Sequence, residues 1–165
     1  MLLADPPAFT PWYDHELAAA LARAGADVEL ATSRFRFGTG PVPDGYRRTE
    51  RWYPLSSRLF RRSRLRLPLK AVEHTGVLGE LAVAKPDVLH LQWLALPQAD
   101  RFLRFRAPAV FTAHDLLPRR TASRRDLWRG LLAKFDRVVV HSERGREALA
   151  ELDVDARVIP HPVYP

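Results

Sequence analysis

Histidine is the residue type that carries most of the potential chemistry in this sequence. Of the six, His114 follows the run VFTA, His141 follows VVV, His161 follows RVIP, and His15 lies in the loop after the first apolar run. His90 sits inside VLHLQW, and only His74 falls on a helical pattern. An imidazole donates or accepts a hydrogen bond near neutral pH, so a group of them at strand ends suits the handling of a hydroxyl. His114 with Asp115 is the sharpest pair. A strand-end histidine followed by a carboxylate could position or deprotonate a hydroxyl, or Asp115 could cap the next segment. His90, alone in mid-strand, reads as structural. No metal is expected, because the strand-end histidines come from different units, no HxH or HxxxH spacing occurs, and the chain has no cysteine.

The elements that must position these residues follow from periodicity. Short β-branched runs alternate with longer helical patterns, which predicts βα units around a parallel sheet. Strands are expected over Met1–Ala4, Asp27–Thr32, Thr49–Tyr53, Val88–Gln92, Val110–Ala113, Arg137–His141 and Arg157–Ile159. Several are nearly continuous apolar runs, as expected for strands covered on both faces. Leu17, Ala20, Leu21 and Ala24 predict a helix with Asp14 as N-cap and Gly25 just past its end. A second helix begins near Pro68 and stops before Pro86, a third spans Leu96–Phe105, and a fourth follows the capping-box spacing of Ser123 and Asp126. A fifth covers Gly145–Leu152, and Phe35–Asp44 reads as a long surface loop. The fold class is α/β: one domain with a parallel sheet of about six to seven strands and helices on both faces.

Length and composition agree with one globular domain: 165 residues, 47% hydrophobic. No stretch approaches the roughly 20 apolar residues of a membrane span and no secretory leader is evident, so a cytoplasmic location is expected. The formal charge of +7 suits an anionic partner. Lysine occurs only at positions 70, 85 and 134, so the positive charge is almost all arginine. It is concentrated in one block at Arg58, Arg61, Arg62, Arg64 and Arg66 and another at Arg119, Arg120, Arg124 and Arg125. No nucleic-acid-binding signature accompanies it, and no nucleic-acid partner is expected.

Ligands of an open parallel sheet bind beyond the carboxyl ends of the strands. The turn there after the first strand is DPPAFTPWY. It contains no glycine, so the G-x-G-x-x-G dinucleotide fingerprint is absent, and no GxxxxGK[ST] phosphate loop occurs. What remains is a stiff loop with Thr10, Trp12 and Tyr13 opening onto a helix start that could face an anion or a sugar ring, or whose aromatics could pack beneath it. Glu143 and Glu151 have the E-x7-E spacing associated with sugar nucleotides. On a helix they lie about 80° apart, with Glu147 between them, and read as a solvated acidic face.

Five stretches, PPAFTPWYDHELAAALARAGADVELATS, KPDVLHLQW, PAVFTAHDLLP, FDRVVVHSE and RVIPHPVYP, in this order, resemble the N-terminal domain of a family 4 glycosyltransferase. That resemblance implies a Rossmann-like domain of the two-domain GT-B architecture in a retaining enzyme. The N-terminal domain of such enzymes binds the acceptor, the C-terminal domain binds the nucleotide-sugar donor, and no metal cofactor is essential. It also implies that His114 is catalytic, approaching the transferred sugar or the acceptor hydroxyl. Ser142 would line the cleft, His161 would lie on the run toward the interdomain hinge, and Thr10, Trp12, Tyr13, Gln92, Trp93 and Asp115 would contact substrate. The family's usual Gly-Gly turn after the first strand is replaced here by proline and aromatics. The donor-binding domain is not within these residues, so the expectation is an acceptor-binding half that is inactive alone.

In that light RLFRRSRLRLPLK, Arg58 to Lys70, interleaves leucine and phenylalanine with arginine in a composition suited to an anionic membrane surface and a lipid-linked acceptor. The location would then be peripheral, at the inner face of the membrane. The same stretch also fits a surface loop whose apolar residues turn inward. The alternative to a transferase half is a stand-alone module that binds a carbohydrate or phosphorylated ligand without catalysis.

Overall fold

The apolar runs become seven short strands: β1 (Leu2–Asp5), β2 (Glu29–Ser33), β3 (Arg47–Trp52), β4 (Leu89–Leu91), β5 (Ala109–Thr112), β6 (Arg137–Val140) and β7 (Ala156–Val158). Helices α1 (Pro11–Arg23), α2 (Arg66–Val83), α3 (Pro97–Asp100), α4 (Arg125–Leu132) and α5 (Glu143–Ala150) stand between them. The computed structural model describes residues 1–59, 64–115 and 124–161. Among these, every strand pairing is parallel and the order is β3-β2-β1-β4-β5-β6-β7. The order reverses between β1 and β4, and the loops leaving those two strands diverge to opposite sides. That divergence opens a crevice at their carboxyl ends.

Alternation along β1 shows how the layers form. Leu3 packs with Val28, Leu30 and the small residues Ala18 and Ala19 of α1. Leu2 and Ala4 pack with Val77 and Leu81 of α2, Trp128 and Leu131 of α4, and Leu149 of α5. One helix therefore covers one face and three cover the other. Each fully buried leucine in this sandwich contributes about 1.5–3 kcal/mol, which makes the central strands the rigid floor of the crevice. At the edge, β3 carries Arg47 and Arg51, and both pair with Glu29 of β2, at 3.1 and 2.6 Å.

Helix ends differ from the pattern-based expectation at several places. Helix α1 starts at Pro11 with Thr10 as N-cap, because proline is best placed in a first turn. Asp14 therefore stands within the first turn, buried, rather than at the cap, and His15 lies on the helix rather than in a loop. Gly25 does follow the helix end in the left-handed region, at φ 94°. Helix α3 is only Pro97–Asp100, not Leu96–Phe105: the amides of Phe102 and Leu103 bond three residues back, to the Ala99 and Asp100 carbonyls, so the helical ladder gives way to turns, while the buried Asp100 side chain accepts from the Leu96 amide at the amino end at 2.8 Å. Ser123 lies outside the described residues, and the N-cap of α4 is Arg124. Helix α5 begins at Glu143, two residues earlier than its apolar pattern suggests, with Ser142 accepting from the Gly145 amide at 3.1 Å.

The turn after β1 replaces glycine in a particular way. Ala8 sits at φ 54°, in the left-handed region that glycine normally occupies. The conformation costs about 1 kcal/mol for an L-residue. Its amide donates to the Asp5 carbonyl at 3.1 Å, holding the turn closed.

Candidate functional site

Four strand ends meet at the crevice and deliver a cluster of rings. Tyr13, in the first turn of α1 and 7% exposed, stands edge-on to His114 with ring centres 4.6 Å apart. Its ring also lies 5.3 Å from His141 and 5.3 Å from His161. The three imidazoles are mutual neighbours in sequence order, His114 to His141 at 5.2 Å and His141 to His161 at 5.0 Å. Trp93, just past β4, stacks on His114 at 5.1 Å, with planes 12° apart. The sequence placed these residues at strand ends, and parallel pairing with one strand per βα unit brings the ends together.

Hydrogen bonds fix the rings. His114 Nε2 bonds Gln92 Oε1 at 3.0 Å, and Trp93 Nε1 donates to Thr10 Oγ1 at 2.9 Å, tying the β4 loop to the start of α1. His141 Nδ1 donates to the Ile159 carbonyl at 2.9 Å, which leaves Nε2 as the acceptor nitrogen of the neutral ring. Among the described residues, Gln92 Nε2 and His141 Nε2 are shielded from water and have no hydrogen-bond partner. A buried polar atom left this way costs roughly 1–3 kcal/mol. A donor and an acceptor unsatisfied in one ring cluster match a ligand rich in hydroxyls.

Burial pushes the His114 imidazole down to about 3, and the neighbouring His141, His161 and His90 add to the effect. His141 is lowered chiefly by burial, partly opposed by its bond to Ile159. His114 and His141 are therefore neutral at physiological pH. His90 belongs elsewhere. Its Nε2 bonds Thr112 Oγ1 at 2.8 Å inside the sheet, and burial takes it to about 4, which fits the structural reading of a mid-strand histidine.

The other expected residues distribute unevenly. Trp12 is 56% exposed at the mouth, and the half-exposed Phe9 packs edge-on against Trp93 at 5.3 Å. Asp115 is exposed, and the ring nitrogen of His114 engages Gln92 instead. Ser142 caps α5 beside His141. Arg58, Arg64 and Arg66 flank the approach to α2, whereas Arg61, Arg62, Arg119 and Arg120 lie outside the described residues. Leu65 and Leu67 are exposed rather than turned inward, at 69% and 66%. Glu143 and Glu151 are solvated and paired with Arg146 and Arg125, as their spacing predicts.

A carboxyl pair escaped the sequence reading. Asp5, closing β1, and Asp14 are fully buried, and their carboxyls face one another. Burial raises both, and Asp14 rises further because the Asp5 charge stands beside it. One proton shared between them relieves the repulsion. Asp5 Oδ2 also accepts from the Thr10 amide at 3.3 Å, so the pair anchors the turn carrying Phe9 and Thr10. The first signal was an aspartate ending an apolar strand. The second was a helix whose start at Pro11 puts Asp14 in its first turn, facing back toward that strand. Groups whose folded pKa is raised stabilise the fold fully below their unfolded value, near 3.8, and lose that contribution as pH rises through the folded value. Asp14→Asn supplies an amide donor to Asp5 without needing the proton. It is expected to stabilise the protein by on the order of 1 kcal/mol at pH 8 and to show a smaller gain at pH 5. Urea midpoints at the two pH values measure this, and an equal loss of stability at both would contradict it.

Comparison with known proteins assigns the fold to a family. The family described as Glycosyltransferase Family 4 matches residues 13–165. The chain belongs to glycosyltransferase family 4. It is the Rossmann-like N-terminal domain region of that family's GT-B architecture, and membership implies a nucleotide-sugar donor and an acceptor as substrates. No curated protein matches it. The fold is similar to a solved structure of sucrose-phosphate synthase from Thermosynechococcus elongatus, with a TM-score of 0.56 and 19% identity. The match covers 97% of this chain and 87% of that one. At that identity the likeness bears on the fold alone. Among the described residues, no helix of this family 4 domain is long and apolar enough to cross a membrane.

Proposed function

We propose that this domain is the acceptor-binding half of a retaining sugar transferase and that the crevice edge of Tyr13, Gln92, Trp93, His114 and His141 is where the acceptor hydroxyl meets the transferred sugar. The observation that carries this is the pair of unsatisfied buried atoms, Gln92 Nε2 and His141 Nε2, within a ring cluster at the switch point of the sheet. Trp93 and Tyr13 offer apolar faces to a sugar ring while His114, His141 and Gln92 offer the hydrogen bonds. Thr10, Ser142 and His161 complete the rim, with Trp12 and Asp115 at its exposed edge.

His114 acts here by hydrogen bonding rather than by taking a proton. An imidazole protonated only below about pH 3 is a weak base at neutral pH. Its bond to Gln92 holds the ring, and the neutral ring presents its other nitrogen to a hydroxyl of the acceptor or of the transferred sugar.

The donor would bind a second domain, and the acceptor would carry a phosphate, with lipid-linked acceptors included. Leu65 and Leu67, exposed beside Arg64 and Arg66, suit the face of an anionic bilayer and would place the protein peripherally at it. The reading is tested by assaying release of nucleotide from nucleotide sugars. The 165-residue chain alone should release none above background, and turnover should appear only with a donor-binding domain present. Turnover by the chain alone would refute the division of labour.

A further inference from the structure

The amino ends of β5 and β6 lie on the opposite edge of the sheet from the crevice. The connection from α3 into β5 and the turn from α4 into β6 bound an open recess there of about 530 Å³, lined by residues 103–108 with Lys134 and Asp136. The four residues of β5, each advancing the chain by about 3.3 Å, separate this recess from His114.

The floor of the recess is held by paired contacts. The Asp136 amide donates to the Ala109 carbonyl and the Ala109 amide donates to Asp136 Oδ2, both at 2.8 Å, so the two connections are clasped together. Leu103 is buried, and Phe105 packs on Phe135 with ring centres 5.1 Å apart. Arg104 and Arg106, which alternate with them, are exposed. Inward and outward residues alternate in this way along an extended chain, and the alternation turns both arginines to the outer side.

Lys134 joins the two arginines from the neighbouring turn. Among the described residues, no hydrogen bond or ion pair ties the side chains of Arg104, Arg106 or Lys134 to the protein. Other surface arginines meet carboxylates, as Arg125 does with Glu151 and Arg146 with Glu143. In the recess Asp136 is the carboxylate, and one of its oxygens is already engaged by the Ala109 amide. Three cations against one carboxylate leave a surplus of two positive charges around a shared hollow. Like charges gathered there repel one another, and an anion among them reverses the sign of that interaction.

We infer that Arg104, Arg106 and Lys134 form a binding site for a small molecule that carries a diphosphate group. Two guanidinium forks suit the oxygens of two phosphoryl groups, and Lys134 supplies a point charge beside them. Phe105 faces inward onto Phe135, so the recess reads the anion rather than a stacked base. Free diphosphate and the diphosphate of a nucleotide share that chemistry. The site stands apart from the acceptor-side reading, because a ligand here is out of reach of the edge formed by His114 and His141.

The scarcity of lysine makes the site readable in the 165-residue chain. Amine acetylation at pH 8, followed by peptide mass spectrometry, reports Lys70, Lys85 and Lys134 separately. Inorganic diphosphate, compared with chloride at equal ionic strength, is expected to slow labelling of Lys134 at least about fivefold and to leave the exposed Lys85 unchanged. Adenosine diphosphate forms the second arm. Protection by inorganic diphosphate assigns the group itself as sufficient, and protection by adenosine diphosphate alone assigns its ester. Protection by neither overturns the site, as does equal slowing at Lys85, which would mean unspecific screening. Arg104→Gln and Arg106→Gln alter exposed side chains outside the core, so each should keep the circular dichroism of the folded chain while weakening protection at least about fivefold. Unchanged protection in either variant would also overturn the site. No sugar transfer is measured, so this failure is distinct from failure of the acceptor-side reading, which the nucleotide-release assay decides.

Discussion

Replacing His74 by alanine is expected to destabilise the domain by about 3–5 kcal/mol, because it strips two buried polar groups of a hydrogen-bond partner, each costing roughly 1–3 kcal/mol. His74 and Asp100 side chains are 2% and 3% exposed and 2.7 Å apart. The relay Tyr53–His74–Asp100 spans the end of β3, the middle of α2 and the short α3. Alanine would leave the Asp100 carboxylate with the Leu96 amide at Oδ2 and nothing at Oδ1, and would orphan the Tyr53 hydroxyl in the core. Tyr53 adds to the cost, because it is held at φ 53°, where an L-residue is strained unless its surroundings impose it. Denaturant unfolding followed by circular dichroism measures the loss. A change below about 1 kcal/mol would show that the relay is not what fixes α2 on the sheet. Asp100→Asn keeps an oxygen for the His74 ring but loses the acceptor for Leu96, and should cost about half as much.

His114→Ala is expected to lower sugar transfer at least about 100-fold, measured with a donor-binding domain present, while leaving the fold intact. The ring is partly buried, and its removal takes one hydrogen bond to Gln92 and one stacking face from Trp93. His114→Gln keeps a hydrogen-bonding group at that position and should recover part of the rate. The pH dependence separates positioning from proton transfer. Because burial holds His114 neutral down to about pH 3, the ratio of wild-type to His114→Ala rates should be constant from pH 5 to pH 8. A ratio that rises along a titration near pH 6.5 would mean that the ring exchanges a proton in the reaction.

Much of this was legible in the chain of residues, for a reason that also marks its limit. All seven strands fell within a few residues of the expected positions, because apolar runs such as VELAT and VVV bounded by polar or proline residues have few alternatives. Parallel pairing then forces residues just past those runs to one edge, so His114, His141, His161, Gln92 and Trp93 could be grouped before any contact was known. Contacts made by side chains reaching back across the fold were not visible. Nothing in the spacing of Asp5 and Asp14 shows that their carboxyls face each other. Nor does it show that His74, on a helix and far from the edge, joins Tyr53 to Asp100. The sequence groups Lys70 with a basic surface stretch because its neighbours there are mostly arginines and leucines. In three dimensions it points inward between Tyr53 and Phe9, while Leu65 and Leu67 stay outside. Helix α3 is shorter than its pattern because backbone turns, not a breaker residue, end it.

Transfer is proposed at the edge formed by His114 and His141. Imidazole nitrogen resonances, recorded with a donor-binding domain present and with the nucleotide sugar that the protein consumes, locate the reacting sugar directly. Saturating donor is predicted to shift His114 and His141 and to leave His15 and His74 unmoved. Unmoved His114 and His141 resonances, with shifts confined to other histidines, would contradict the account.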